Sequence, residues 1–184
     1  MSTKPAASVK EKIYLIDIPA GVQFHLEKGK IISKGPAGHI ERPFPSKNVD
    51  IHVDGNKVHI KAKGKSADSR MIAGAFNSHI KNMLAGVQKP FVFKLKVVFT
   101  HFPVTVSVVG SDFLVQNFLG EKKPRKVRLP AGAKVSIHDE FIDVEAVDLE
   151  LAGKIASLME RSTKIRNRDR RVFQDGVYII QKPK

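Results

Sequence analysis

The apolar residues of this chain change period twice, and that recurrence limits the folds open to it more than any other feature. Ile72, Phe76, Ile80, Met83, Leu84 and Val87 recur at the spacing of one helix face, and Leu149, Ala152, Ile155, Ala156 and Met159 do so again. Each stripe comes after a long stretch of short, β-branched segments punctuated by Gly and Pro. In the first half these are Ile13 to Ile18, Val22 to Leu26, Lys30 to Ser33, His39 to Phe44, Val49 to Val53 and Lys57 to Lys61. Asp54-Gly55-Asn56 between the last two is a hairpin signal, because Gly takes positive φ without steric cost. Ser66 or Asp68 can cap the first helix.

From Phe91 the sequence of events repeats. Phe91 to Thr100, Val104 to Val109, Phe113 to Leu119, Val127 to Leu129, Val135 to Ile137 and Phe141 to Ala146 read as strands, and Asp148 caps the second stripe. Residue echoes accompany the pattern: Pro19 with Pro103, Gly35 with Gly120, Val58-His59-Ile60 with Ile142-Asp143-Val144, and Ala73-Gly74 with Ala152-Gly153. The expectation is an α+β protein of two duplicated small domains, each an antiparallel β-sheet with one main helix packed on a face. Residues 1–12 read as a mobile arm, 13–88 as the first domain, and 89–184 as the second with a basic C-terminal extension.

Charge narrows the function. Lys plus Arg total 32 against 18 Asp plus Glu, a formal net charge of +14, and a surplus of that size calls for a polyanionic partner. Nucleic acid comes first and an anionic membrane surface second. No apolar run approaches the roughly 18 to 20 residues of a spanning helix, neither helical stripe has cations concentrated opposite it, and the start of the chain lacks a signal peptide's apolar centre. The chain therefore reads as cytoplasmic. Cysteine is absent, which removes disulfides, thiolate nucleophiles and Cys-based zinc sites.

Three local patterns invite sharper readings and fail to carry them. Gly64-Lys65-Ser66 resembles the end of a P-loop, but position 59, where the motif needs Gly, is His, so a pre-helix loop is expected. Gly35-Pro36-Ala37-Gly38 has the form of the GXXG loop of KH modules, but its flanks read as strands, so a tight turn is expected. The seven histidines show no metal-ligand spacing, and His52 and His59 can face each other across a hairpin without a metal. No Ser, His, Asp arrangement or isolated carboxylate pair suggests catalysis.

Two basic runs remain. Lys122, Lys123, Arg125, Lys126 and Arg128 form one, opened into a loop by Pro124. The other is K-I-R-N-R-D-R-R-V-F-Q-D-G-V-Y, from Lys164 to Tyr178. Arg161 and Lys164 suit the end of a helix, where cations complement the macrodipole, whereas Arg166, Arg168, Arg170 and Arg171 lie beyond its reach. Guanidinium pairs bidentately with phosphate, so the Arg-rich run favours RNA phosphate. Phe173 is placed to stack on a base or to anchor the segment to the core. Asp175-Gly176 reads as a turn into a final strand, Val177 to Ile180.

The paired β-rich halves, the K-G-P-A-G turn at Lys34 to Gly38 and the terminal K-I-R-N-R-D-R-R-V-F-Q-D-G-V-Y-I together resemble the ribosomal protein L6 (uL6) family, in its archaeal or eukaryote-like form. The family often has a second Lys where Ala37 stands. The resemblance implies a large-subunit protein whose second domain and C-terminal segment bind 23S-type rRNA near the sarcin-ricin loop and the translation-factor (GTPase) site. It places rRNA contacts on Lys164, Arg166, Arg168, Arg170, Arg171, Gln174, Asp175 and Gly176, to which the charge pattern adds Lys122, Lys123, Arg125 and Lys126. The expected partners are rRNA, neighbouring ribosomal proteins and, transiently, translation factors. No enzyme activity, cofactor, metal, membrane or small-molecule substrate is expected. The competing reading is a free-standing KH-like regulator that binds single-stranded RNA.

Overall fold

The computed structural model describes residues 13–27, 29–44, 49–63 and 66–183. The expected arm at 1–12, and Gly64 and Lys65 of the P-loop-like triplet, lie outside these residues. The chain divides into two compact units at Gln88.

The first unit runs β1 (Ile13–Asp17), β2 (Gln23–Glu27), β3 (Lys30–Gly35), β4 (Gly38–Pro43), β5 (Val49–Asp54), β6 (Lys57–Ala62) and α1 (Ala67–Gln88). Its strands form two antiparallel sheets, β1-β6-β5 and β2-β3-β4. Each strand alternates inward and outward residues, so one sheet face is apolar and must be covered. Helix α1 covers both sheets with one stripe. Ile31, Val58, Ile60, Ala73, Ile80 and Val87 are wholly buried there. Of the two candidate caps, Ser66 serves: its Oγ accepts from Asp68 N at 3.3 Å. His52 lies opposite His59 in register, and each ring is turned to a carboxylate, Asp50 at 3.1 Å and Asp54 at 3.6 Å.

The second unit repeats the plan with one addition. It runs β7 (Phe91–Val98), β8 (Thr105–Val109), β9 (Asp112–Gln116), β10 (Arg125–Arg128), β11 (Ala133–His138), β12 (Phe141–Ala146), α2 (Leu149–Ser162) and β13 (Gly176–Gln181). The sheets are β10-β9-β8 and β11-β12-β7-β13, all antiparallel, and α2 packs on β7, β12, β13 and β10. Asp148 caps α2, accepting from Glu150 N at 3.0 Å. The Ala-Gly echoes have a common cause. A Cβ on Gly74 would stand 3.2 Å from the Tyr14 hydroxyl of β1, and one on Gly153 would stand 3.4 Å from the Phe93 ring of β7. In both units an aromatic ring from the first strand lies against the helix where a side chain is missing.

The K-G-P-A-G turn closes a helix. Gly35 and Gly38 pair at the end of the β3-β4 hairpin, and Ala37 N donates to Val87 O, near the end of α1, at 2.9 Å. A Cβ on Gly35 would fall 2.6 Å from that same oxygen, so only glycine admits the approach. The segment joins two strands, unlike a KH loop, which joins two helices.

Three expectations need correcting. The strand expected over Phe113 to Leu119 stops at Gln116, because Asn117 turns left-handed at φ 57° and a short 3₁₀ turn, Phe118–Gly120, succeeds it with Leu119 at φ 51°. The basic loop is shorter than expected, since Arg125 and Lys126 already belong to β10. Asp175-Gly176 is no turn; Gly176 opens β13 directly.

Candidate nucleic-acid interface

Residues 163–175 connect α2 to β13, and their path is held by side-chain and backbone hydrogen bonds within the second unit. Thr163 ends the helix, donating from Oγ1 to Glu160 O at 3.1 Å and accepting Val177 N at 2.9 Å, so helix end and strand start are tied at one hydroxyl. Ile165 then enters the core. Asn167 adopts φ 57°, a left-handed conformation that Asn tolerates better than most residues, and reverses the chain. Asp169 organises the next turn: its carboxylate accepts Arg171 N at 2.9 Å and its carbonyl accepts Val172 N and Phe173 N at 3.2 and 2.9 Å. Gln174 Nε2 donates to Arg171 O at 3.2 Å.

Asp175 is the anchor. Its side chain is wholly buried and accepts Thr100 N at 3.0 Å, Thr100 Oγ1 at 2.8 Å and His101 N at 3.4 Å, with His101 Nδ1 at 3.3 Å. Burial alone would raise its pKa, but the hydrogen bonds from Thr100 and His101 outweigh it and hold the carboxyl below its usual range. His101 in turn stacks on Phe173, with ring centroids 4.9 Å apart, and the Arg168 guanidinium lies 4.8 Å from the same ring. Phe173 is therefore an anchor, its ring engaged inside the protein by both neighbours. Thr100 and His101 were not legible as site residues; they lie some 75 positions from Asp175 and carry no local motif.

This framework leaves the cations outside. Lys164, Arg166, Arg168, Arg170 and Arg171 are exposed, and among the described residues none forms an ion pair. Lys122 and Lys123 are likewise exposed and unpaired among the described residues. Lys126 is 2.8 Å from Asp112. Arg125 is committed inward: its guanidinium donates to Glu121 and to the carbonyls of Ser162 at 2.9 Å and Lys164 at 3.3 Å, and lies 4.3 Å from the Phe118 ring. Glu121 is held below the usual carboxylate range first by its hydrogen bond from Arg125, with the charges of Arg125 and Arg168 adding to it. Arg125 thus pins the first basic run to the end of α2. Together with Arg161, Ser162, Lys164 and Arg166 it lines a cavity of about 270 Å³, which brings the two runs into one surface.

Asp175 and Gly176, which the resemblance places among the rRNA contacts, are both buried beneath the segment. A Cβ on Gly176 would meet Thr163 Oγ1 and the Tyr178 ring, each at 3.3 Å, so close packing explains this glycine.

The family model described as ribosomal protein L6 matches residues 18–90 and again 102–176, once in each unit. The chain belongs to the ribosomal protein L6 family. Its relatives include the large ribosomal subunit protein uL6 of Methanosarcina mazei, 38% identical over 174 residues that cover 95% of this chain and 99% of the relative. The uL6 of Sulfurisphaera tokodaii is 41% identical over 170 residues, covering 91% and 90%. That of Aeropyrum pernix is 37% identical over 168 residues, covering 91% and 92%. The L6 match ends at residue 176, where β13 begins, so the last described strand of the second unit extends beyond the repeated segment.

Proposed function

We propose that this protein is a structural constituent of the large ribosomal subunit that binds 23S-type rRNA through residues 164–171 of its second unit, near the sarcin-ricin loop and the translation-factor site. Five exposed cations that form no ion pair among the described residues, on a segment whose end is anchored by the buried Asp175, carry this reading. A surface built only for solubility would not need a buried carboxylate beneath it. Membership of a ribosomal family and the names of the uL6 relatives support the large subunit as its place. The role is architectural, with rRNA and neighbouring ribosomal proteins as partners and translation factors passing close by. Lys122 and Lys123 extend the phosphate footprint, while Arg125, Lys126, Gln174, Asp175 and Gly176 hold its shape. The strand-to-strand setting of Gly35 to Gly38 favours this reading over a KH-like regulator.

The test replaces Arg166, Arg168, Arg170 and Arg171 together by Ala and tracks binding to a large-subunit rRNA fragment against salt. Each phosphate contact contributes about 0.7 to 0.9 to the slope of log K on log salt, so the slope should become shallower by about three units. Unchanged affinity and slope in a folded variant would overturn the assignment.

A further inference from the structure

A second cavity, of about 370 Å³, opens between the end of α2 and β13, beside the basic segment. This lies within the range of about 300–1,000 Å³ that holds small ligands. Ile165 and Val177, both buried, lie at its base, and one wall is the exposed ring of Tyr178. Arg161, Lys164 and Arg170 supply the charge around it. Tyr178 is held by its own hydroxyl, which donates to Gln174 O at 3.0 Å. Glu160 also lines the cavity; its Oε1 accepts Ile179 N at 3.2 Å, and its other oxygen has no partner among the described residues.

A purely phosphate-binding surface needs no apolar recess and no held aromatic ring. RNA sequence is read mainly where unpaired bases splay out, stack on aromatic rings and present their edges to polar groups. Resting on the rRNA-binding reading, we infer that this cavity receives one unpaired nucleobase of the bound RNA. The base stacks on Tyr178 above Ile165 at the base of the cavity, its phosphates meet Lys164 and Arg170, and the free Glu160 oxygen accepts from an N–H on its edge. The phosphate segment then supplies affinity and the cavity supplies choice of site. Thr163 takes no part in reading, since its hydroxyl is already occupied by Glu160 O and Val177 N.

The experiment uses the full-length protein and a large-subunit rRNA fragment, with base-reactivity footprinting and a salt titration. Tyr178→Leu removes the stacking ring and keeps an apolar side chain; affinity should fall about 5- to 100-fold with an unchanged salt slope. One base protected by the wild type should regain reactivity, and Tyr178→Phe, which keeps the ring but not the hydroxyl's tie to Gln174, should restore most of the protection and affinity. An abasic substitution at that nucleotide should weaken the wild type to the same extent and make it indifferent to Tyr178→Leu, which removes any dependence on how well the variant folds. Wild-type affinity with Tyr178→Leu, a shallower salt slope, or an abasic effect that adds to the Leu effect overturns the base pocket. Absence of wild-type binding to the rRNA fragment overturns instead the reading on which it rests.

Discussion

The two units share a plan and differ at one edge. In the first, β1 is an edge strand among the described residues, with Ile13 and Leu15 about half exposed on it. In the second, β7 is flanked on both sides, by β12 and by β13. The helices differ in their continuation: α1 leads almost at once into β7, whereas α2 leads into the 163–175 segment and only then into β13. The cations are also spaced differently: the second unit gathers Lys164, Arg166, Arg168, Arg170 and Arg171, all exposed, into eight residues, and the first unit has no such run among the described residues. The same scaffold occurs twice, and in the second unit a segment with five exposed cations lies between the helix and an added strand.

The sharpest way to break that contrast is to remove the anchor peculiar to the second unit. Asp175→Ala leaves the Thr100 and His101 donors without their acceptor, and since a hydrogen bond to a charged group contributes about 1.5–3 kcal/mol, the two from Thr100 alone set an expected loss of at least about 3 kcal/mol. Hydrogen exchange should show the loosening confined to the second unit, together with weaker rRNA binding; equal loosening in the first unit would refute the division of labour. The same anchor sets a pH dependence. The folded-state pKa of Asp175 is depressed below the ordinary 3.8, so its stabilisation is complete above that value and is lost as pH falls through the folded pKa. The Asp175-dependent difference in stability between wild type and Asp175→Ala should therefore shrink below about pH 4, read by acid titration of unfolding.

A smaller effect should appear on the other side. Gly35→Ala drives a Cβ into the Val87 carbonyl, and such overpacking costs about 1–3 kcal/mol. Urea unfolding should show the first unit destabilised, with the salt slope of rRNA binding unchanged; a changed slope would mean that the Lys34 to Gly38 turn itself touches RNA. Smallest are the paired caps. Ser66→Ala and Asp148→Ala should each cost about 1 kcal/mol, measured by thermal unfolding, because the two residues do the same work in the two repeats. A strongly unequal pair would argue against structural equivalence of the helix starts.

Most of this architecture was legible because it is periodic. The alternation of Val58, Ile60 and Ala62 and the stripe from Ile72 to Val87 are both dictated by which face must be buried, and short-range chemistry marked Asp148. Periodicity could not tell that each unit's strands form two sheets, since pairing partners are not written in alternation. The end of β9 at Asn117 depends on one left-handed residue in an apolar run. In the candidate site, charge density singled out Arg166 to Arg171 but could not tell their exposure from the inward commitment of Arg125, whose partners Ser162 and Lys164 lie almost 40 residues away. Asp175 misled for the same reason: Asp-Gly is a turn signal locally, and only the distant Thr100 and His101 make it an anchor.

The flanking of β7 by β12 and β13 bears on the order in which the chain becomes competent as it is synthesised. β1 to α1 are contiguous, so the first unit has all its strands in hand once Gln88 has emerged and can close early. The second unit's central strand is made first and its neighbour β13 comes last, so β7 waits for one edge until residue 181 is available. Because residues 163–175 are fixed at one end by α2 and at the other by β13, their cations take up their fixed arrangement only after that final pairing. A nascent protein therefore lacks this cationic surface in its final form until the unit that carries it is whole.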